Sequence, residues 1–275
     1  MYLKNIVVTG TTSGIGYAIV KALAARGDHV VAVTLNDALG SKAYQSLGSP
    51  QNVSFVSIDL SSNQAIEKGS HKIKALFSNQ KIDVLIHCAA IVPQYYITNE
   101  QGYEMQFQVN HLAIMNLTLN LLDYIKRAEG IVIATSSRVH RSATINFDDL
   151  MLRKKYFLFS AYKKSKLANV LFAYEFNRRY SKDHVLAYLV DPRLVNTRIA
   201  ETNTRGIIRL FWSIRRRFGQ DPNAVASYFL QLIDQEKNDQ EPYYYKYGKQ
   251  VEPSNYGKDE QIAKRFWEAS EKLIK

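Results

Sequence analysis

Short apolar runs alternate with stretches of helical periodicity along most of the chain. The runs are rich in β-branched residues and end at polar or turn-forming residues, a pattern typical of buried strands. Six strands are predicted in this way, over 3–9, 28–34, 52–58, 82–87, 130–135 and 184–190. Helices are predicted after the first strand and over 37–47, 62–78, 100–126 and 160–180.

The alternation of strand and helix predicts the fold class, a doubly wound parallel sheet of the Rossmann type with helices on both faces. All 275 residues, 1–275, are assigned to one α/β domain, because no linker, repeat or low-complexity tract divides them. An irregular segment is predicted over 136–159. The C-terminal third is less regular, with helices predicted over 222–233 and 259–273 and a last strand over 242–245.

A glycine-rich turn joins the first predicted strand to the helix after it. Gly10, Gly14 and Gly16 have the spacing Gly-x-x-x-Gly-x-Gly, which differs from the common dinucleotide fingerprint by one inserted residue. Glycines let the backbone approach a phosphate, and the free N–H groups at a helix N-terminus bind it. The turn therefore indicates an anion site, although three glycines also occur in tight turns that bind nothing.

Polar residues stand where the other predicted strands end, and ligands of open parallel sheets bind at these carboxyl ends. Tyr162 and Lys166 lie four residues apart on the helix after the fifth strand, and hence on one face. A nearby ammonium favours the phenolate and lowers the pKa of a phenol, and a serine hydroxyl can hold a carbonyl oxygen beside it. By itself the pair is also an ordinary surface pattern in a chain with 18 tyrosines. The strand-end residues are Asp59, His87 to Ala90, Ser136-Ser137 and Asp191.

Three motifs together resemble the short-chain dehydrogenase/reductase family. They are Thr9-Gly10-x-x-x-Gly14-Ile15-Gly16, the Ser136-Ser137 pair after a strand, and Ala161-Tyr162-Lys163-Lys164-Ser165-Lys166. The resemblance extends over nearly the whole chain. Within the family, the segments 162–172 and 253–273 resemble the retinol-dehydrogenase-like branch.

The resemblance implies an NAD(P)-dependent oxidoreductase, such as a carbonyl reductase, that moves hydride between nicotinamide and a carbonyl or alcohol carbon. The substrate implied is a fairly apolar small molecule. Tyr162 is then the general acid or base, and Lys166 lowers its pKa and binds the nicotinamide ribose. Ser137 orients the substrate carbonyl, with Ser136 as the alternative, and Asn110 supports a proton relay. The cofactor-binding residues implied are Gly10, Thr12, Ser13, Gly14, Ile15, Thr34, Asp59, Leu60, Cys88, Ala89, Tyr162, Lys166, Val195 and Thr197.

The chain departs from the family pattern at two strand ends. His87-Cys88-Ala89-Ala90 stands where Asn-Asn-Ala-Gly is usual, and Pro192-Arg193 replaces Pro-Gly, which places a long cation near the nicotinamide end. Cys88 is the one cysteine, so an internal disulfide and a multi-cysteine metal site are excluded. We predict an inert thiol at Cys88, a hydrogen-bonded strand residue at His87, and no metal site.

The end of the second strand, Thr34-Leu35-Asn36, bears on the choice of cofactor. An acid there binds the ribose of NAD and a base accepts the phosphate of NADP. Thr34 is not an acid, and Leu35 is not the arginine that the branch often has. Thr34 and Asn36 can both donate to a phosphate, so the sequence favours NADP slightly over NAD.

The chain has 36 Lys and Arg residues and 25 Asp and Glu residues, which gives a formal charge of +11. Such a charge suits nucleic acid, an anionic membrane or an anionic cofactor, but no nucleic-acid-binding motif is present. Part of the excess lies in the basic amphipathic segment 207–218. The resemblance implies a substrate lid around 198–220, whereas the pattern of 207–218 also fits a helix lying on an anionic membrane. Both interpretations stay open.

The absence of a long apolar run and of an N-terminal leader, with a single cysteine, predicts a cytoplasmic protein. A homodimer is common in the family and stays open. Two alternative functions also stay open. The changes at 87–90 and Arg193 favour a nucleotide-binding regulator or scaffold with weak catalysis. A sugar-nucleotide epimerase has the same Tyr-x-x-x-Lys motif but usually a longer C-terminal part.

Overall fold

The computed structural model describes residues 3–197 and 217–275. Within these residues the strands form one sheet. All of its strands run parallel except the last, which is a short antiparallel edge. The strands are β1 Asn5–Thr9, β2 His29–Thr34, β3 Val53–Ser57, β4 Val84–His87, β5 Ile131–Thr135, β6 Leu186–Asp191, β7 Tyr244–Lys246 and β8 Lys249–Gln250.

The sheet order is β3-β2-β1-β4-β5-β6-β7-β8, so the strand order reverses between β1 and β4. Because crossovers between parallel strands are right-handed, the two directions of winding place helices on opposite faces. The helices are α1 Gly14–Arg26, α2 Asp37–Ser46, α3 Asn63–Ala75, α4 Met105–Phe107, α5 Ala113–Arg127, α6 Leu158–Tyr180, α7 Pro222–Asp234, α8 Asn255–Lys258 and α9 Glu260–Ile274. On one face α1 packs against α7, and on the other α3 packs against α5 and α6 against α9.

The central strands are mainly apolar because helices cover both of their faces. Every residue of β1, β4 and β5 is buried. The predicted doubly wound parallel sheet is therefore confirmed, with one addition. The antiparallel strand β8 was not predicted, because its two residues, Lys249 and Gln250, are exposed and give no apolar signal.

The long helix predicted over 100–126 differs from the structure at its start. The α-helical segment begins only at Met105, because the carboxylate of Glu104 accepts the N–H groups of Gln106 and Phe107 at 2.9 and 2.8 Å and so caps it there. A π-helix over Gln108–Leu112 separates α4 from α5. In the segment predicted as irregular, short 3-10 helices occupy Arg138–Ser142 and Phe147–Asp149.

The predicted lid, 198–220, and the amphipathic segment 207–218 lie outside the described residues except for 217–220. Their two flanks are described and meet. Val195 pairs with Gln220, and the N–H of Gln220 donates to the carbonyl of Leu194 at 2.8 Å. In the ranges 3–197 and 217–275, no helix is long and apolar enough to cross a membrane.

Candidate active site

The glycine turn between β1 and α1 needs glycine at all three positions. Gly10 and Gly14 have φ angles of +71° and +60°, in the left-handed region. A Cβ on Gly10 would lie 2.6 Å from the amide nitrogen of Ala89, and one on Gly16 would lie 2.3 Å from the carbonyl oxygen of Gly10. A Cβ on Gly14 would meet the side chain of Thr197 at 2.9 Å. The turn is therefore packed against the end of β4 and against the segment after β6.

The N-terminus of α1 is open at this turn. Ser13 is the N-cap residue, and its side chain makes no capping hydrogen bond. No acidic residue lies in the first turn of the helix. The amide donors and the positive end of the helix dipole thus face the cleft without a competing carboxylate, which is the arrangement that a diphosphate needs. The residues of the turn fit a dinucleotide.

Two threonines tie the glycine turn to its neighbouring strands. The hydroxyl of Thr9 accepts the N–H groups of Cys88 and Ala89, both at 3.2 Å. The hydroxyl of Thr11 donates to the carbonyl of Val33 at 3.1 Å. The ends of β1, β2 and β4 are therefore held together around the turn, at the point where the strand order reverses.

The end of β2 holds its polar side chains in local hydrogen bonds. Thr34 is buried and its hydroxyl donates to the carbonyl of Asn36 at 3.2 Å. The side chain of Asn36 caps α2 by accepting the N–H of Leu39 at 3.0 Å. Asp37, which the sequence reasoning did not weigh, lies exposed at the start of α2 and accepts a hydrogen bond from the Ser57 hydroxyl. This strand end therefore presents a carboxylate as well as neutral donors.

Asp59 and Leu60 follow β3 at the same edge of the sheet. Asp59 is exposed and accepts the N–H of Ser61 at 2.9 Å. The carbonyl of Leu60 accepts a hydrogen bond from the side chain of Gln108 at 3.1 Å. Both residues therefore lie at the carboxyl end of β3.

His87 and Cys88 at the end of β4 are both unreactive in their surroundings. His87 is 2% exposed, and its Nε2 lies 2.9 Å from the Thr118 hydroxyl. Burial lowers the pKa of His87 to about 3, so its imidazole is neutral. Burial raises the pKa of the Cys88 thiol to about 12, against a smaller lowering effect of the Lys166 charge. A thiol with this pKa is a poor nucleophile at neutral pH, which is consistent with the predicted inert cysteine.

The two serines after β5 have different surroundings. Ser136 is buried, and its hydroxyl donates to the carbonyl of Lys166 at 3.2 Å. Ser137 is partly exposed to the cleft, and no partner for its hydroxyl occurs among the described residues. Ser137 is therefore the serine with a hydroxyl available to a ligand.

Lys166 lies where β4, β5 and β6 end. It is 2% exposed, and its Nζ donates to the carbonyl of Thr135 at 3.2 Å and lies 5.5 Å from the centre of the Tyr162 ring. Burial lowers the pKa of Lys166 to about 8, and the Asp191 carboxylate opposes this shift. The predicted Tyr162–Lys166 pair is thus brought together at the cleft.

The pKa of Tyr162 is shifted in the direction opposite to the prediction. Burial, with a smaller contribution from the Asp191 charge, raises it to about 12. The predicted lowering by Lys166 is not found, because the shift is caused by desolvation of the phenolate and by the Asp191 charge. The phenol of Tyr162 is therefore protonated at neutral pH.

Asp191 at the end of β6 was seen in the sequence only as a strand end. It is buried, and its carboxylate accepts the hydroxyl of Tyr244 at 3.1 Å and the N–H of Arg193 at 2.9 Å. Arg193 has a φ of +61°, the left-handed conformation that the usual glycine of Pro-Gly would adopt without strain. Asp191 therefore stabilises the turn that the replacement of glycine by Arg193 would otherwise strain.

Asn110 lies in the π-helix, and its side chain is completely occupied. Its amide oxygen accepts the N–H of Ile91 at 2.8 Å, and its amide nitrogen donates to the carbonyl of Ile91 at 2.9 Å and to the Ser165 hydroxyl at 3.3 Å. Asn110 thus holds the segment after β4 against α6. A π-bulge inside a helix is often found at functional sites.

The remaining predicted residues lie after β6 and in the glycine turn. Val195 is 9% exposed, and Thr197 follows it with its N–H donating to the Val195 carbonyl at 2.8 Å. Thr12 and Ile15 belong to the glycine turn and are partly exposed. The fold therefore assembles one cleft from the ends of β1 to β6 and the start of α6.

Comparison with known proteins agrees with this architecture. The family model of the short chain dehydrogenases matches residues 4–207. Retinol dehydrogenase 13 of Homo sapiens is 31% identical over 98% of this chain and 84% of its own length. Polyprenol dehydrogenase of Homo sapiens is 33% identical over 76% of this chain and 64% of its own length.

Solved structures have the same fold. The carbonyl reductase Sniffer of D. melanogaster has a TM-score of 0.71 and 17% identity, with 92% of this chain and 100% of that chain covered. An alcohol dehydrogenase from the archaeon Thermococcus sibiricus, complexed with 5-hydroxy-NADP, has a TM-score of 0.68 and 20% identity over 93% of this chain and 98% of that chain. From the matched family model and the full-length relatives, this chain belongs to the short-chain dehydrogenase/reductase family, in its retinol-dehydrogenase-like branch, and is an NAD(P)-dependent oxidoreductase of CH–OH and C=O groups.

Proposed function

We propose that the protein interconverts a carbonyl and an alcohol on a fairly apolar small molecule, with Tyr162 as the general acid or base. The observation that supports this proposal is the position of the Lys166 Nζ, 5.5 Å from the centre of the Tyr162 ring and bonded to the carbonyl of Thr135 at the end of β5. Ser137 follows the same strand, and Gly10 lies against the end of the neighbouring strand β4. A proton donor and an anion site would thus share one edge of the sheet.

The cofactor would be held along the carboxyl edge of the sheet. Gly10, Gly14 and the first amides of α1 would hold its diphosphate, and Asp59-Leu60 would lie by the adenine. Val195 and Thr197 would lie by the nicotinamide. When bound, the nicotinamide supplies or accepts the hydride.

Side chains of this protein would bind the substrate oxygen and exchange a proton with it. Because burial raises the pKa of Tyr162 to about 12, its phenol is protonated at neutral pH and can donate that proton to a carbonyl oxygen. The Ser137 hydroxyl would donate a hydrogen bond to the same oxygen, and Lys166 would bind the ribose. A protonated phenol is the form that carbonyl reduction needs.

The proposed substrate is apolar. Exposed aromatic and aliphatic side chains follow β4 and precede Tyr162, among them Tyr95, Tyr96, Ile97 and Phe157, which are 38% to 66% exposed. The Tyr96 and Tyr156 rings are in edge contact with centroids 5.6 Å apart, which joins the two segments. The relatives named retinol and polyprenol dehydrogenase support an isoprenoid aldehyde or alcohol as the first substrate class to assay.

The test begins with fluorescence titration of the purified protein with NADH and NADPH, followed by turnover with retinal and other carbonyl compounds. Tyr162→Phe is expected to lower kcat by about 10³-fold, because removal of a general acid typically costs 10²- to 10⁴-fold. Its cofactor Kd should stay within about threefold, since the glycine turn is untouched. Tyr247→Phe, at a tyrosine 46% exposed beyond β7, is the matched control. Full turnover by Tyr162→Phe would refute the mechanism, and tight cofactor binding without any turnover would favour the regulator.

A further inference from the structure

His140 follows Ser137 by three residues and contacts its backbone. A role of His140 in turnover depends on the proposed function of Ser137. The side chain of His140 is completely buried in the 3-10 helix Arg138–Ser142. Its Nδ1 lies 2.7 Å from the carbonyl oxygen of Ser137, and its Nε2 accepts the backbone N–H of Ser254 at 3.1 Å. Two backbone groups therefore contact the two ring nitrogens.

These contacts determine the tautomer of the ring. A carbonyl oxygen can only accept a hydrogen bond and a backbone amide can only donate one. The proton of neutral His140 must therefore be on Nδ1, and Nε2 must be bare. Burial lowers the pKa of His140, which keeps the ring neutral.

The charged and aromatic groups around the ring come from several elements. The Arg141 guanidinium lowers the pKa of His140 further, whereas the Asp191 carboxylate raises it. The ring of Tyr244 packs on the imidazole with centroids 5.1 Å apart, and its hydroxyl donates to Asp191. His140 is thus held in one orientation by β6, β7 and the start of α8.

The backbone on either side of Ser137 is fixed by hydrogen bonds. The Ser137 carbonyl accepts both the ring Nδ1–H of His140 and its backbone N–H, the latter at 3.0 Å. On the other side, Ser136 donates its N–H to the carbonyl of Val190 at 2.9 Å and its hydroxyl to the carbonyl of Lys166 at 3.2 Å. These bonds restrict the position of the Ser137 Cα atom, and hence of the Cβ atom that bears its hydroxyl.

We propose that His140 is a positioning residue for Ser137, acting through its Nδ1–H bond to the Ser137 carbonyl. Because the ring also contacts Ser254 at the start of α8, the position of Ser254 affects the position of the Ser137 hydroxyl. That hydroxyl would orient the substrate carbonyl. Misplacement of a reacting group by about 1 Å can cost on the order of 10²-fold in rate. His140 therefore contributes to turnover without touching the substrate.

Two variants each remove one of the two hydrogen bonds that the imidazole ring of His140 makes. His140→Asn retains an N–H donor near the position of Nδ1, toward Ser137, and loses the acceptor for Ser254. His140→Gln places an amide oxygen near the position of Nε2, toward Ser254, and loses the donor to Ser137. The two side chains have the same functional group, so a difference between them reports which bond matters.

The kinetic result expected is a split between these variants. His140→Gln should lower kcat by about 10- to 100-fold with KM for the cofactor unchanged, and His140→Asn should retain kcat within about threefold. Thermal unfolding and cofactor titration of both variants check that each is folded. Equal kcat values for the two variants, or a larger loss in His140→Asn, would overturn the proposal.

A measurement that needs no turnover tests the protonation of the ring. Nitrogen-15 NMR of histidine-labelled protein, with the His140 signals assigned by their loss in His140→Gln, distinguishes a protonated Nδ1 from a protonated Nε2. We expect a protonated Nδ1 and a bare Nε2 at pH 7.5, and the opposite tautomer would overturn the proposal. If the wild-type protein has the expected tautomer but turns over no substrate, the proposed function fails, and with it a kinetic effect of His140.

Discussion

The neutral, buried His87 makes the stability of the protein sensitive to acid. The pKa of His87 is lowered from 6.5 to about 3 by burial, and its Nε2 lies 2.9 Å from the Thr118 hydroxyl. Between these two pKa values the unfolded chain binds a proton that the folded chain does not, so stability falls as the pH falls. At pH 5, about 1.5 units below the pKa of the unfolded chain, the loss is about 2 kcal/mol at ~1.4 kcal/mol per unit. That is a large part of the roughly 5 to 15 kcal/mol typical of a domain.

His87→Asn removes this proton site. We expect the variant to lose about 1 to 2 kcal/mol at pH 8, where a smaller side chain leaves a gap in the core. Between pH 8 and pH 5 the wild type should lose about 2 kcal/mol more than the variant, so that at pH 5 the variant is about as stable as the wild type or slightly more stable. Urea unfolding at pH 5, 6, 7 and 8, followed by tryptophan fluorescence, measures it. His71→Asn, at an exposed position on α3, is the control. If the free energies of unfolding of wild type and His87→Asn depended on pH in the same way, the assignment of a neutral, buried imidazole would be refuted.

Two further predictions concern the cofactor. Gly16→Ala places a Cβ 2.3 Å from the carbonyl oxygen of Gly10, so the turn must shift, and the Kd measured by fluorescence titration should rise by at least about tenfold for NADH and NADPH alike. Asp37→Asn removes the carboxylate at the end of β2, so affinity for NADPH should rise relative to NADH by about threefold to tenfold, because a negative side chain disfavours a phosphate. An unchanged ratio of the two Kd values would show that Asp37 does not face the cofactor.

Local patterns in the sequence were sufficient to predict the sheet and the place of the cleft. Apolar runs of β-branched residues result directly from burial on both faces, and the strict βαβ order leaves few topologies. The parallel sheet brings the strand ends to one edge, which is why Gly10, Asp59 and the Ser136-Ser137 pair could be placed near one another from the sequence. The glycine spacing was also visible in the sequence. The turn itself requires a left-handed φ and a close backbone contact at Gly10, which only glycine allows.

Protonation states and the choice between neighbouring side chains came only from tertiary packing. The pKa of Tyr162 rises rather than falls because burial depends on everything that surrounds the ring, not on a lysine four residues away. Asp191 and Tyr244 meet across 53 residues of sequence, and His140 and Ser254 across 114. No local period records such contacts, because they arise when the C-terminal segment packs against β6 and the 3-10 helix after β5. The sequence therefore indicated which residues lie near the strand ends, whereas long-range packing determines which of their atoms are protonated.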